Sequence, residues 1–293
     1  MTAATTRILS NTRCLLGEGP FYCERRKTLY WFDILNRRRH AYDFERKLET
    51  TQKLPEMASA MAVVDDERDV IFTESGLWLR EVSTGCWTPL CAIEGDDDAT
   101  RSNDARVHPS GAFWLGMMGK SAEPGMGSIY HYRAGTLTEI YDGLTIPNAI
   151  CFSPDGTTAY FTDTPSRTLM HVSLDADTGL PTAEPDVYFQ QSDGETGGMD
   201  GAICDGEGQI WNARWGASSL DRIAPNGTRV ESIELPLTQP SCPAFIGDGR
   251  IAVTSAWENM DAETRAADPN AGATIIVELQ HPVQARFEPK LAI

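Results

Sequence analysis

Short runs of β-branched and aromatic residues alternate with polar ones along the whole chain, and turn clusters interrupt them about every six to ten residues. The most apolar runs are LYWFDIL (29 to 35), VIFTES (70 to 75), AFWLGMM (112 to 118), AYFTDT (159 to 164), QIWNARW (209 to 215) and RIAVTSAW (250 to 257). Each follows a tight-turn sequence: CERRK, DDERD, HPSG, SPDG, DGEG and GDG. Asp, Pro and Gly there supply the preset or positive φ that hairpins need. A further strand-like run follows every marker: HAYDFE, LWLREV, SIYHYR, TLMHVSL, SLDRIA and ATIIVEL. The one helical candidate, ENMDAETRAADPN (258 to 270), reads as a loop insertion in the last unit.

The spacing makes these runs a repeat. Taking Trp31, Phe72, Trp114, Phe161, Trp211 and Ala252 as equivalent gives intervals of 41, 42, 47, 50 and 41 residues. Such periods mark radially repeated sheets or solenoids. Solenoid repeats are usually shorter, so the prediction is an all-β, six-bladed β-propeller filling residues 1–293 as one domain. Propellers commonly close by pairing the two chain ends. Thr6 to Asn11 is therefore expected as an edge strand on the blade containing Ile251 to Trp257.

Four oxygen-bearing side chains open corresponding segments. Glu18 opens GEGPFYC and Asn148 opens NAICFSPDG, each 13 residues before its marker; Asn103 opens NDARVHPSG and Asp200 opens DGAICDGEG, each at 11. If each begins the innermost strand of its blade, all four converge at one end of the channel. The loops after the second strands, at 119 to 127, 164 to 167, 214 to 218 and 257 to 272, then form the rim. The two remaining blades offer Ser59 and Ser241 at the same place. Two converging buried carboxylates need compensation. With no cation at the equivalent positions, a divalent ion is the economical answer. Hard oxygen donors suit Ca2+ foremost, with Mg2+, Mn2+ or Zn2+ as alternatives. The competing reading is that these residues cap strands and bond turn backbones.

A formal net charge of −17 argues against nucleic acid or an anionic membrane surface as partner. Seven scattered cysteines without a C-x-x-C indicate neither a disulfide framework nor a zinc knot. The start, MTAATTRILSNTR, has no apolar signal core, and the expectation is a cytoplasmic protein. There is no G-x-S-x-G, and the five histidines fall in turns, strands or the tail, which disfavours a Ser-His-Asp hydrolase. His108 is expected as a surface turn residue away from the mouth. The run Asp96-Asp97-Asp98 lacks the EF-hand pattern and reads as a solvated loop.

GEGP, RSND followed by HPSGAFWLG, PNAICFSPDGTTAYFTDT, MDGAICDGEGQIW and the closing FEPKLA together resemble the regucalcin–gluconolactonase, or senescence marker protein-like, family of six-bladed sugar lactonases. Ala105 and His108 stand where members commonly carry Gly and Asp. The resemblance implies that Glu18, Asn148 and Asp200 bind one divalent ion. It implies further that Arg101 and Asn103 hold the sugar, and that Asp200 doubles as the catalytic acid/base. Lys120 is expected as a third substrate-binding residue at a polar mouth, and Trp215 or Trp257 could stack on a sugar ring. The expected substrate is a small sugar lactone of the gluconolactone type, opened to its acid. The alternatives are a non-catalytic calcium-binding or interaction propeller, and a propeller hydrolase of other esters or phosphotriesters.

Overall fold

The computed structural model describes residues 4–247 and 249–293, so Asp248, the middle of the GDG turn, lies outside the described residues. It contains six four-stranded antiparallel sheets arranged as the blades of a β-propeller. The inner strands are Gly17–Cys23, Ala58–Val63, Thr100–Val107, Pro147–Phe152, Gly198–Cys204 and Pro240–Gly247. They are buried nearly end to end, whereas outer strands such as Leu48–Lys53 and Arg229–Glu234 are largely exposed. All six runs predicted to follow the markers appear as third strands, among them Arg38–Asp43, Gly127–Arg133 and Thr274–Leu279.

Apolar side chains pack between neighbouring blades, so the core consists of six inter-blade clusters rather than one. Trp31 and Leu29 meet Ala252 and Ile276 across the first and sixth blades, and Trp114 meets Phe152 and Phe161 across the third and fourth. Trp31, Trp114 and Trp211 are fully buried. Truncating one would cost about 3–5 kcal/mol.

The sixth blade takes its outermost strand from the chain start. Ala4–Ser10 pairs antiparallel with Thr274–Leu279, Ala4 opposite Leu279 and Ile8 opposite Ile275. This is the expected closure, with the third strand of that blade as the direct partner. At the opposite end of the molecule the C-terminal tail runs across the channel: Gln284 O accepts from Gly206 N, Leu291 N donates to Val63 O and Ala292 N donates to Gly111 O. Among the described residues the only α-helix is Ala262–Ala267, capped by Asp261 within the predicted insertion. No helix there is long and apolar enough to cross a membrane.

Every inner strand carries an extra residue against its partner at the same place, and Pro240–Gly247 carries a second between Phe245 and Gly247. Glu18 pairs with Phe32 but Phe21 with Tyr30; Asn148 pairs with Thr162 but Cys151 with Tyr160. The same slip falls after Ala58, Ser102, Met199 and Pro240. Such bulges bend a strand and re-aim its side chains. They also refine the sequence alignment. Glu18 and Asn148 are the last paired residues before the bulge, whereas Asn103 and Asp200 are the first within it. Likewise Trp114 and Trp211 stand two residues off the position of Trp31, on the same strand face.

His108 corrects one expectation. It does lie in the turn after an inner strand, away from the mouth, but it is fully buried rather than on the surface. Its Nδ1 accepts from Ser110 N at 3.0 Å, its Nε2 lies 2.8 Å from Gly156 O, and its ring sits edge-on to Phe152. Neighbouring turns pack on one another, and HPSG meets SPDG there. The Asp96–Asp98 run is an exposed loop, as expected.

Candidate active site

Glu18, Arg101, Asn103, Lys120, Asn148 and Asp200 all line one cavity of about 510 Å³ at the mouth of the channel. That size suits a small-molecule site. All four predicted rim segments contribute to it: Lys120 to Ala122, Thr164, Trp215, and Glu258 with Asn259. Trp257 does not line it; the Arg265 guanidinium sits 3.8 Å over its ring instead.

A chain of hydrogen bonds fixes the polar wall across three blades. Arg101 Nη1 donates to Asn103 Oδ1 at 2.9 Å, and Asn103 Nδ2 donates to Asn148 Oδ1 at 3.0 Å. Asn148 Nδ2 then donates to Thr164 Oγ1 at 3.0 Å, and Thr164 Oγ1 to Met199 O, beside Asp200, at 2.9 Å. Asn212 Nδ2 donates to the Asp200 carbonyl at 2.7 Å, pinning that strand. Lys120 pairs with Glu74 at 2.7 Å, so its charge is already answered within the protein.

Electrostatically the site is strained by buried like charges. Burial, then repulsion from Asp104, pushes the Glu18 carboxyl up. Burial, then repulsion from Glu18 and Asp104, pushes Asp200 up strongly. Arg101 pulls both down, and Arg106 pulls Glu18 down, without offsetting the burial. Sequence reasoning counted no cation here because it compared only equivalent strand positions. It also missed Asp104, which lies under the site; its Oδ2 accepts from Ile150 N at 2.8 Å and Oδ1 from Ala105 N at 3.0 Å. Glu258 was missed as well. It sits in an insertion with no counterpart in other blades, so the repeat carried no signal for it.

These donors fit a divalent cation. Among the described residues Glu18 bonds only its neighbour's N–H, Gly19 N at 3.1 Å, and the two carboxyls face a shared cavity with an amide oxygen from Asn148. Hard oxygens, excess negative charge and few internal partners are what a hard cation requires. A second group of potential donors, Cys14, Asp33 and His40, lies buried with ligand atoms within 4.8 Å of one another. None lines the cavity. Asp33 instead accepts from Leu15 N, Leu16 N and Asn36, bracketing the chain as it enters the blade. Asp163 does the same for Thr145 and Ile146 in the fourth blade.

A six-bladed propeller with carboxylate and amide donors at its mouth is the class that fold and site define. The family model of the SMP-30/gluconolactonase/LRE-like region matches residues 16–257, and the chain belongs to that family. It is 46% identical to a putative sugar lactone lactonase of Rhizobium meliloti strain 1021, across 97% of this chain and 96% of the relative. It is 32% identical to L-arabinolactonase of Azospirillum brasilense over the same shares, 97% and 96%. Among solved structures it is similar to a calcium-binding protein, regucalcin, from Agrobacterium tumefaciens. The TM-score is 0.96 and the identity 45%, covering 100% of this chain and 99% of that one.

Proposed function

We propose that the protein hydrolyses a sugar lactone to its acid, with one divalent ion held by Glu18, Asn148 and Asp200. The observation that carries this reading is the convergence of those three side chains, from three blades, in one cavity with Arg101 and Asn103. It is supported by kinship with a named arabinolactonase and a named sugar lactone lactonase. The calcium-binding neighbour supports Ca2+ as the ion.

When bound, the ion would polarise the lactone carbonyl and steady the oxyanion. The remaining work falls to the chain. Asp200 takes a proton from the attacking water and returns it to the ring oxygen as that bond breaks, so one water is consumed per lactone. Arg101 and Asn103 hold hydroxyls of the sugar, Asn103 positioned by its bonds to Asn148 Oδ1 and Pro147 O. Leu16, Met118, Ile146 and Trp215 supply the apolar wall for the ring face. The mixed lining disfavours a lipophilic lactone or phosphotriester, which would want an apolar mouth.

A panel of pentono- and hexonolactones, assayed by acid release on chelator-stripped and reconstituted protein, tests this. Turnover restored by a divalent ion is expected. Metal binding with no turnover of any lactone would leave a non-catalytic cation-binding propeller.

A further inference from the structure

Glu258 belongs to no repeat position, yet it lines the same cavity as Arg101. The turn that carries it is braced. Trp257 N donates to Leu15 O at 3.2 Å, Met260 N donates to Trp257 O at 3.2 Å, and Arg265 covers the Trp257 ring. Arg101 is buried, and among the described residues its Nε has no hydrogen-bond partner. Of the carboxyls acting on Arg101, Glu258 pulls hardest, ahead of Glu18 and Asp200. Among the described residues no direct ion pair joins Arg101 and Glu258, so the two charges face the same space with room between them.

The charges of the mouth then sort into balanced sets. Lys120 is answered by Glu74. A divalent ion would balance Glu18 and Asp200. Arg101 alone would attract an anionic substituent on the sugar, and Glu258 removes that attraction.

We propose that Glu258 is a specificity-determining residue that confines the site to lactones without a second anionic group. This rests on the lactonase reading above. A neutral polyol ring can span the pair, accepting from Arg101 and donating hydroxyl protons to Glu258. A ring bearing an extra carboxylate would bring like charge against Glu258 in a half-buried setting, where such juxtaposition is costly.

The test compares wild type, Glu258→Gln and Glu258→Asp. Two readouts are taken: kcat/KM for gluconolactone and for a glucaric acid monolactone, and calorimetric binding of gluconate and glucarate. Wild type should prefer the neutral lactone and the mono-acid. Glu258→Gln should shrink both preferences by about 10- to 100-fold, chiefly by improving the anionic ligand, while Glu258→Asp keeps most of them. Preferences unmoved in Glu258→Gln, with neutral lactones still hydrolysed, would overturn the role of Glu258 alone. Absence of turnover with every lactone would instead overturn the lactonase reading, and this inference with it.

Discussion

Arg106 of the third blade reaches across the channel and donates from Nη1 to Glu288 Oε1 of the C-terminal tail at 2.8 Å. The same guanidinium donates to Ile150 O at 3.4 Å and to Ala202 O at 3.1 Å, tying the fourth and fifth blades to the third. Glu288 Oε2 in turn accepts from Val107 N at 3.0 Å. The tail is thus a floor beneath Asp104 and the site. Glu288→Gln removes the hydrogen-bonded charge partner of buried Arg106 while Asp104 remains near it, and should cost about 1.5–3 kcal/mol in denaturant unfolding. A midpoint unchanged from wild type would show that the pair is not structural.

Closure by Ala4–Ser10 covers the edge of Thr274–Leu279, including Ile275 and Val277. Removing residues 1 to 10 should lower stability by on the order of 4 kcal/mol, from lost ladder bonds and exposed apolar surface. Equal melting temperatures with and without the segment would place closure elsewhere.

The proposed ion site predicts an order of effects. Asp200→Ala and Glu18→Gln each remove a donor together with a balancing charge, and should weaken metal affinity and lactone turnover in parallel. Asn148→Ala removes only a neutral donor and should do so less. Calorimetry showing full metal affinity in Asp200→Ala would reject the ligand set.

Arg101→Lys separates sugar recognition from metal binding. An ammonium keeps the charge, but Arg101 already commits one nitrogen, Nη1, to Asn103 Oδ1 and Ser102 O, and only the planar guanidinium has a second terminal nitrogen, Nη2, to offer a sugar. A fall in kcat/KM for sugar lactones of roughly 10- to 100-fold, about 1.5–3 kcal/mol, is expected with metal affinity nearly intact. Parent-like kinetics on every sugar lactone would make Arg101 structural.

His108 gives the fold a pH dependence with a definite sign. Burial, the largest influence, lowers its pKa. Ser110 N donates to Nδ1, so the proton sits on Nε2 and faces Gly156 O. A second proton would turn donor against donor. The unfolded chain accepts that proton below its ordinary pKa of about 6.5, while the folded one resists it. The stability present above that pH is therefore lost as pH falls. The raised Glu18 and Asp200 carboxyls contribute the opposite slope, so the His108 contribution is read as a difference: the stability advantage of wild type over His108→Gln should shrink as pH falls from about 7 to 5. An identical slope in the variant would exclude His108 as a contributor.

The repeat made the blades and the convergence of Glu18, Asn103, Asn148 and Asp200 legible, because strand alternation and turn chemistry are local. Counting residues could not see the bulge. One inserted residue leaves the hydrophobic period almost intact, yet it sets Asp200 and Asn103 one place beyond Glu18 and Asn148. Charges brought together by different blades were also hidden. Asp104 and Arg106 read as parts of a strand, and nothing local ties them to Glu288. His108 looked like a surface turn because its burial comes from the neighbouring blade's turn.

The pairing of Ala4–Ser10 with Thr274–Leu279 sets an order of events for a chain made from its start. Ala4–Ser10 finds its partner only once Thr274–Leu279 has been made. Until then five blades can form in sequence while the sixth remains incomplete and its edge open. Docking of that strand, which joins Arg7 to Glu278 across 271 positions, is therefore the long-range step that closes the ring and completes a mouth drawing on residues as distant as Glu18 and Glu258.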